Sequence, residues 1–174
     1  MTFLHKISSR FYSSVSKYHG ILSPSKENNL MLVKGKDSQS FIQGLITQDI
    51  HRLHQADQYG IYTGWLNFRG RFLADSFISL KDSESVWINC TPNARKTLYP
   101  HMKKYLLRKK CNILDNEDYS AYTLLLNKIP QEQPASNLLE VLDNVRKIIA
   151  DKYPETCCFI DPRHASLGMK FIIN

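Results

Sequence analysis

The sequence predicts an α+β fold with a largely antiparallel sheet and flanking helices. Three observations carry that expectation. Short β-prone runs meet across turns too tight for crossover helices, three segments show helical apolar spacing, and strands and helices interleave along the chain.

Taken in order, Leu30-Met31-Leu32-Val33 reads as a short strand closed by Gly35. Asp37 or Ser38 then caps a helix with Phe41, Ile42, Leu45 and Ile46 on one face. Gly44 falls inside that helix, where it costs about 1 kcal/mol against alanine, so a conformational or packing reason is expected for it. Gly60 to Asn67 is rich in aromatic and β-branched residues and reads as a strand. Asn67-Phe68-Arg69-Gly70 turns it back into a second strand, Arg71 to Leu80, with glycine where positive φ is needed. A polar turn, Lys81 to Glu84, leads to a third strand, Ser85 to Cys90.

Thr91-Pro92 is a helix start, a capping hydroxyl followed by proline at the first helical position. Ala94, Leu98, Met102 and Leu106 form its buried stripe, and the helix is expected to run to about Arg108. Strands follow at Cys111 to Leu114 and Tyr119 to Leu126, then a polar break from Pro130 to Pro134. Asn137 caps a last helix with Leu138, Leu142, Val145 and Ile149 inward, ended by Pro154. Thr156 to Ile160 and Met169 to Ile173 are strands joined by Asp161-Pro162-Arg163 and closed by Gly168. The last of these is apolar, and as an edge it would stay open unless something covered it.

Ahead of this domain, residues 1–26 read as a leader. They hold no Asp or Glu, four cations (Lys6, Arg10, Lys17, Lys26) and seven serines. Phe3, Leu4, Ile7, Phe11 and Val15 fall mostly on one helical face. Basic, serine-rich, acid-free and amphipathic is the transit-peptide pattern, and there is no apolar core of the secretory kind. The domain proper is expected over 27–174. The whole chain carries +7 and the leader holds +4 of it; the remaining +3 is too little to argue nucleic-acid binding from net charge. No apolar run approaches the roughly 20 residues that span a bilayer. Cys90, Cys111, Cys157 and Cys158 lack C-x-x-C spacing and are expected reduced in a matrix protein.

The motifs in these segments resemble a known family. Leu32 to Asp37, then Phe41-Ile42-Gln43-Gly44-Leu45-Ile46-Thr47-Gln48-Asp49, is similar to the opening of the YgfZ-like relatives of the glycine-cleavage T-protein. The similarity continues through Leu66-Asn67-Phe68-Arg69-Gly70-Arg71-Phe72-Leu73-Ala74-Asp75, Lys104 to Cys111, Asp161-Pro162-Arg163 and Leu167-Gly168. With the leader, the chain resembles the mitochondrial iron–sulfur cluster assembly branch, the Caf17 type. That resemblance implies a T-protein-like folate-binding fold and a matrix assembly factor without classical turnover. It further implies A-type scaffold proteins as partners, [4Fe–4S] clients of the aconitase and lipoate-synthase kinds, and tetrahydrofolate as a cofactor. The alternative it carries is a folate-dependent aminomethyl transferase. The family's Lys-Gly-Cys-Tyr-x-Gly-Gln-Glu signature belongs beyond Leu167-Gly168, and the sequence ends at Asn174 ahead of it. The fold is therefore expected to be incomplete: a fragment, a truncated isoform and a short protein all fit.

Four residues of the first hairpin, Asn67, Arg69, Arg71 and Asp75, form the candidate folate pocket. The resemblance places an acidic pair on the comparable T-protein hairpin; here the pair is Ala74-Asp75, leaving one carboxylate. A plain salt bridge from Asp75 to Arg69 or Arg71 is the simpler expectation. Lys103, Lys104, Arg108, Lys109 and Lys110 gather at a helix end, where cations oppose the dipole. They also suit docking of an acidic partner, a folate polyglutamate tail, or less readily RNA. No metal site is expected: His51 and His54 share a spacing but lack further ligands, and Cys157-Cys158 should place one thiol inward and one outward.

Overall fold

The computed structural model describes residues 20–24, 30–55, 59–115, 118–126 and 135–174. Five strands form one antiparallel sheet: β2 (Leu30–Lys34), β3 (Ile61–Leu66), β4 (Phe72–Asp82), β5 (Ser85–Asn89) and β6 (Asn112–Asp115). Their order is β3-β4-β5-β2-β6. Four more form a second antiparallel sheet of β1 (Gly20–Pro24), β7 (Ser120–Leu126), β8 (Cys157–Ile160) and β9 (Met169–Ile173), ordered β1-β7-β9-β8. The α+β, antiparallel expectation stands.

Alternation along the strands explains how the two sheets stack. In β2, Met31 and Val33 enter a core under the helices, while Leu30 and Leu32 enter a layer shared with Trp87, Ala121 and Ile172. Both faces of β2 are covered, which is why its sequence is apolar without a polar beat. Helices α1 (Ser38–Gln43) and α2 (Pro92–Leu106) cover the outer face of the first sheet, with Phe41, Ile42, Leu98 and Met102 against Ile78, Val86 and Ile88. Helix α3 (Ala135–Lys152) covers the second with Leu138, Leu142, Val145 and Ile149 against Leu124, Met169 and Phe171. The order of layers is helix, sheet, sheet, helix.

Several local expectations need correction. Gly20–Pro24 lies inside the range read as leader but is a strand, paired with β7 from Gly20↔Leu126 to Pro24↔Tyr122. Residues 1–19, 25–26 and the break at 130–134 lie outside the described residues. Helix α1 stops at Gln43, so Leu45 and Ile46 are off it and Gly44 is its C-cap at an ordinary φ of −70°. The Gln43 amide ends the helix: its oxygen accepts from Ile50 N (2.7 Å) and its nitrogen donates to Gln48 O (3.2 Å). Asp37 makes no side-chain cap; its carboxylate accepts from Lys110 N at 2.8 Å instead. Thr91 does cap α2, accepting from Ala94 N at 3.2 Å, but that helix ends at Leu106. Helix α3 begins at Ala135, which puts Asn137 within its first turn.

The terminal strand is not an edge, because β9 pairs with β7 on one side and β8 on the other. Gly168, which feeds it, has φ +79°, and a Cβ there would stand 1.8 Å from the Leu124 carbonyl oxygen. Cys158 lies buried beneath α3, while Cys157 is half-buried, packed against the layer between the sheets at its edge.

Candidate functional site

The hairpin tip is built by Asn67. Its Oδ1 accepts from Arg69 N (2.9 Å) and Arg71 N (3.0 Å), and its own N–H donates to Arg71 O (2.9 Å). Gly70 supplies the positive φ, +72°, that lets the turn close. Arg69 and Arg71 are exposed, with the Arg69 guanidinium 5.2 Å from the Phe68 ring. Three of the four predicted pocket residues thus meet at the tip.

Asp75 sits farther along β4 and makes other contacts. It is register-paired with Gly64, and its Oδ2 accepts from the Tyr62 hydroxyl, one strand over and diagonal to it. No ion pair joins it to Arg69 or Arg71. The bond to Asp75, with burial, holds the Tyr62 phenol above its ordinary value. Ala74, the neighbour where the resemblance expects a second acid, faces the opposite way and is buried against the core. One carboxylate alone therefore reaches the open face.

Gly64 leaves that face uncovered beside the carboxylate. The Phe72 ring, 64% exposed, lies so near that a Cβ on Gly64 would be 3.1 Å from it. Behind Tyr62 stands Arg163, its guanidinium 5.1 Å from the Tyr62 ring and 4.9 Å from Phe77. Buried Asp161 grips it with both oxygens, at 2.9 Å to Nε and 2.7 Å to Nη2, which raises the Arg163 pKa further. Lys170 lies over the same Phe77 ring at 4.6 Å and donates to Thr123 Oγ1 at 2.9 Å; burial lowers its pKa. The result is an aromatic shelf with one acceptor and two fixed cations. It suits a planar heterocycle whose N–H groups face Asp75 and whose anionic substituents face Arg163. Tyr62, Gly64, Phe72 and Arg163 were not singled out from sequence as site residues. A glycine within an aromatic strand was the available signal, since it marks a close approach.

The five basic residues lie at the end of α2 and in the turn after it. Lys103 and Lys104 end α2 and Arg108, Lys109 and Lys110 follow it, all five exposed. A separate groove of about 600 Å³ opens at the far end of β4. Its cations are already engaged: Lys81 lies over Trp87 and Tyr119, and Arg146 over Tyr59. All four cysteines are free. Burial pushes the Cys157 thiol up to about 11 and those of Cys90 and Cys158 to about 12. His54 bonds Gln39 at 2.7 Å, with its ring 6.4 Å from that of His51. Among the described residues, no three His, Cys, Asp or Glu side chains are grouped to hold a metal, and no helix is long and apolar enough to cross a membrane.

No family model matches the chain. A mitochondrial iron–sulfur cluster assembly factor of Neurospora crassa, an IBA57 homologue, is 32% identical over 153 residues, 83% of this chain. Its counterpart in Dictyostelium discoideum is 26% identical over 184 aligned positions, 92% of this chain. Over most of its own length the chain is similar to these IBA57 assembly factors. It spans 32% and 43% of the length of these two relatives, less than half of either. Both relatives are mitochondrial, which agrees with the compartment expected from the leader. The glycine cleavage system aminomethyltransferase T of Bartonella henselae superposes with a TM-score of 0.62 over 90% of this chain and 42% of that one. At 14% identity the likeness speaks for the fold alone, which is T-protein-like.

Proposed function

We propose that the chain acts in the mitochondrial matrix as an iron–sulfur cluster assembly factor, supporting maturation of [4Fe–4S] proteins of the aconitase and lipoate-synthase kinds. The observation that carries this reading is the similarity to the Neurospora crassa assembly factor, 32% identity across 83% of the chain. Its partners are A-type carrier proteins, met by the exposed cations Lys103, Lys104, Arg108, Lys109 and Lys110. The cluster itself is cargo. A reduced folate is the cofactor we assign to the shelf: Asp75 would accept from the pterin, with Phe72 and Gly64 beside it, and Arg163 would hold its anionic part. Asn67 shapes the turn that presents Arg69 and Arg71 at the rim. When bound, such a folate supplies a planar hydrogen-bonding ring and a one-carbon acceptor nitrogen. The Tyr62 hydroxyl, donating to Oδ2, holds the Asp75 carboxylate in orientation for that contact.

The reading is tested by reconstitution. Purified chain added to a cluster-loaded A-type carrier and apo-aconitase should speed aconitase activation. No change in the rate at any ratio would count against it.

A second reading rests on the T-protein fold and Asp75: a folate-dependent aminomethyl transferase. Formation of methylene-tetrahydrofolate from an aminomethyl donor, abolished by Asp75→Asn, would establish it. A single carboxylate on the open face favours the assembly role.

A further inference from the structure

The turn that ends α2 departs from the usual chemistry of helix ends. A residue just past a helix often takes positive φ, and it is then usually glycine, which lacks the Cβ that would meet backbone. Here it is Leu107, at φ 36° and ψ −115°, the only non-glycine residue with positive φ among those described. Nor is its side chain used in the core. Leu107 is 84% exposed, while Leu106 beside it packs inward. The fold thus carries both a strained backbone and an apolar side chain in water at one position. Strain of this kind persists where surrounding structure enforces it, and it gathers at functional surfaces.

The surroundings are built as well. Lys103 and Lys104 lie along the helix over Tyr99 and Tyr105, at 5.4 Å and 5.9 Å. Lys110 N donates to Asp37 Oδ2 at 2.8 Å, and Lys109 Nζ to Ser40 at 3.4 Å, which ties the turn to α1. Lys103, Lys104, Arg108, Lys109 and Lys110 form no ion pair with any described residue. Asp37, the carboxylate that touches this turn, is engaged with backbone.

We propose that Leu107 is the apolar anchor of a docking surface, flanked along the chain by these five cations, for a folded protein whose acidic surface surrounds an apolar recess. An apolar centre within a charged rim is how interfaces place their binding energy. Charge complementarity sets the sign of the partner, and the leucine sets its shape. A nucleic-acid ligand would use the cations but leave the leucine without a partner. The proposal rests on the assembly-factor reading and adds to it the contact surface and its anchor.

The test is titration of the whole chain with a purified A-type carrier at low and moderate salt, for wild type, Leu107→Gly and Leu107→Ala, beside thermal melts. Both variants should bind about tenfold or more weakly, and wild-type affinity should fall as salt rises. Glycine alone, by releasing the backbone, should raise the melting midpoint by about 2–4 °C. Unchanged affinity in both variants, with wild-type binding intact, overturns the anchor and leaves the assembly reading standing. Failure of wild type to bind the carrier at low salt overturns both. An RNA oligonucleotide that displaces the carrier and shares its dependence on Leu107 also overturns the proposal, reassigning the surface.

Discussion

At the scale of single residues, the shelf depends on what is missing at position 64 as much as on the carboxylate at 75. Gly64→Val places a branched side chain against the Phe72 ring, where even a Cβ would stand 3.1 Å away. Valine suits a strand, so the fold should hold while the shelf fills. Tetrahydrofolate affinity, read by fluorescence titration, is expected to fall at least about tenfold in Gly64→Val and in Asp75→Asn. Equal affinity in wild type and both variants would remove the shelf from the account. The thiols make a second residue-scale prediction. Their pKa values in the fold, about 11 for Cys157 and about 12 for Cys90 and Cys158, lie above the ordinary 9. At pH 8 the native protein should react with a thiol reagent about a hundredfold more slowly than the urea-unfolded chain. A raised folded-state value contributes stability that is complete below pH 9 and lost as pH rises through 11 to 12. Urea midpoints should therefore fall above pH 9. A midpoint that rises across this range, or fast native labelling, would contradict the burial of these thiols.

Among the elements, the turn into β9 offers a comparison within one molecule. Gly70 and Gly168 have similar positive φ, +72° and +79°, but a Cβ at Gly70 meets nothing within 4 Å, whereas one at Gly168 meets the β7 backbone. Gly70→Ala should cost about 1 kcal/mol, and Gly168→Ala about 2–4 kcal/mol, by urea unfolding. Equal losses would mean that φ alone matters and that the close approach to Leu124 does not. Elements legible in the sequence were those specified locally. Thr91-Pro92 sets the start of α2, and Asn67 to Gly70 sets the first hairpin, because each contains its own cap or turn chemistry. Elements misread were those decided by distant atoms. Helix α1 is cut short by Gln43 reaching Gln48 and Ile50, and Asp37 leaves its capping place for Lys110, 73 residues away. Half of the shelf was hidden for the same reason. Asp75 meets Tyr62 only once β3 and β4 pair in this register, and Arg163 arrives from beyond β8.

On the scale of the whole molecule, the range that reads as a leader and the fold overlap in a way that composition concealed. Serine-rich, acid-free sequence runs to Lys26, yet Gly20–Pro24 extends the second sheet by pairing with β7. A transit peptide, if cleaved, would then end before Gly20, and β1 would remain with the domain. The two stacked sheets hold the Asp75 shelf and the turn after α2 as distinct surfaces, and our proposals give the first to a small heterocycle and the second to a protein. The most direct measurement is depletion of the protein in cells, followed by aconitase activity, protein lipoylation and the level of a [2Fe–2S] ferredoxin. The account predicts that aconitase activity and lipoylation fall together while the ferredoxin is retained. Unchanged aconitase and lipoylation after complete loss of the protein would contradict it.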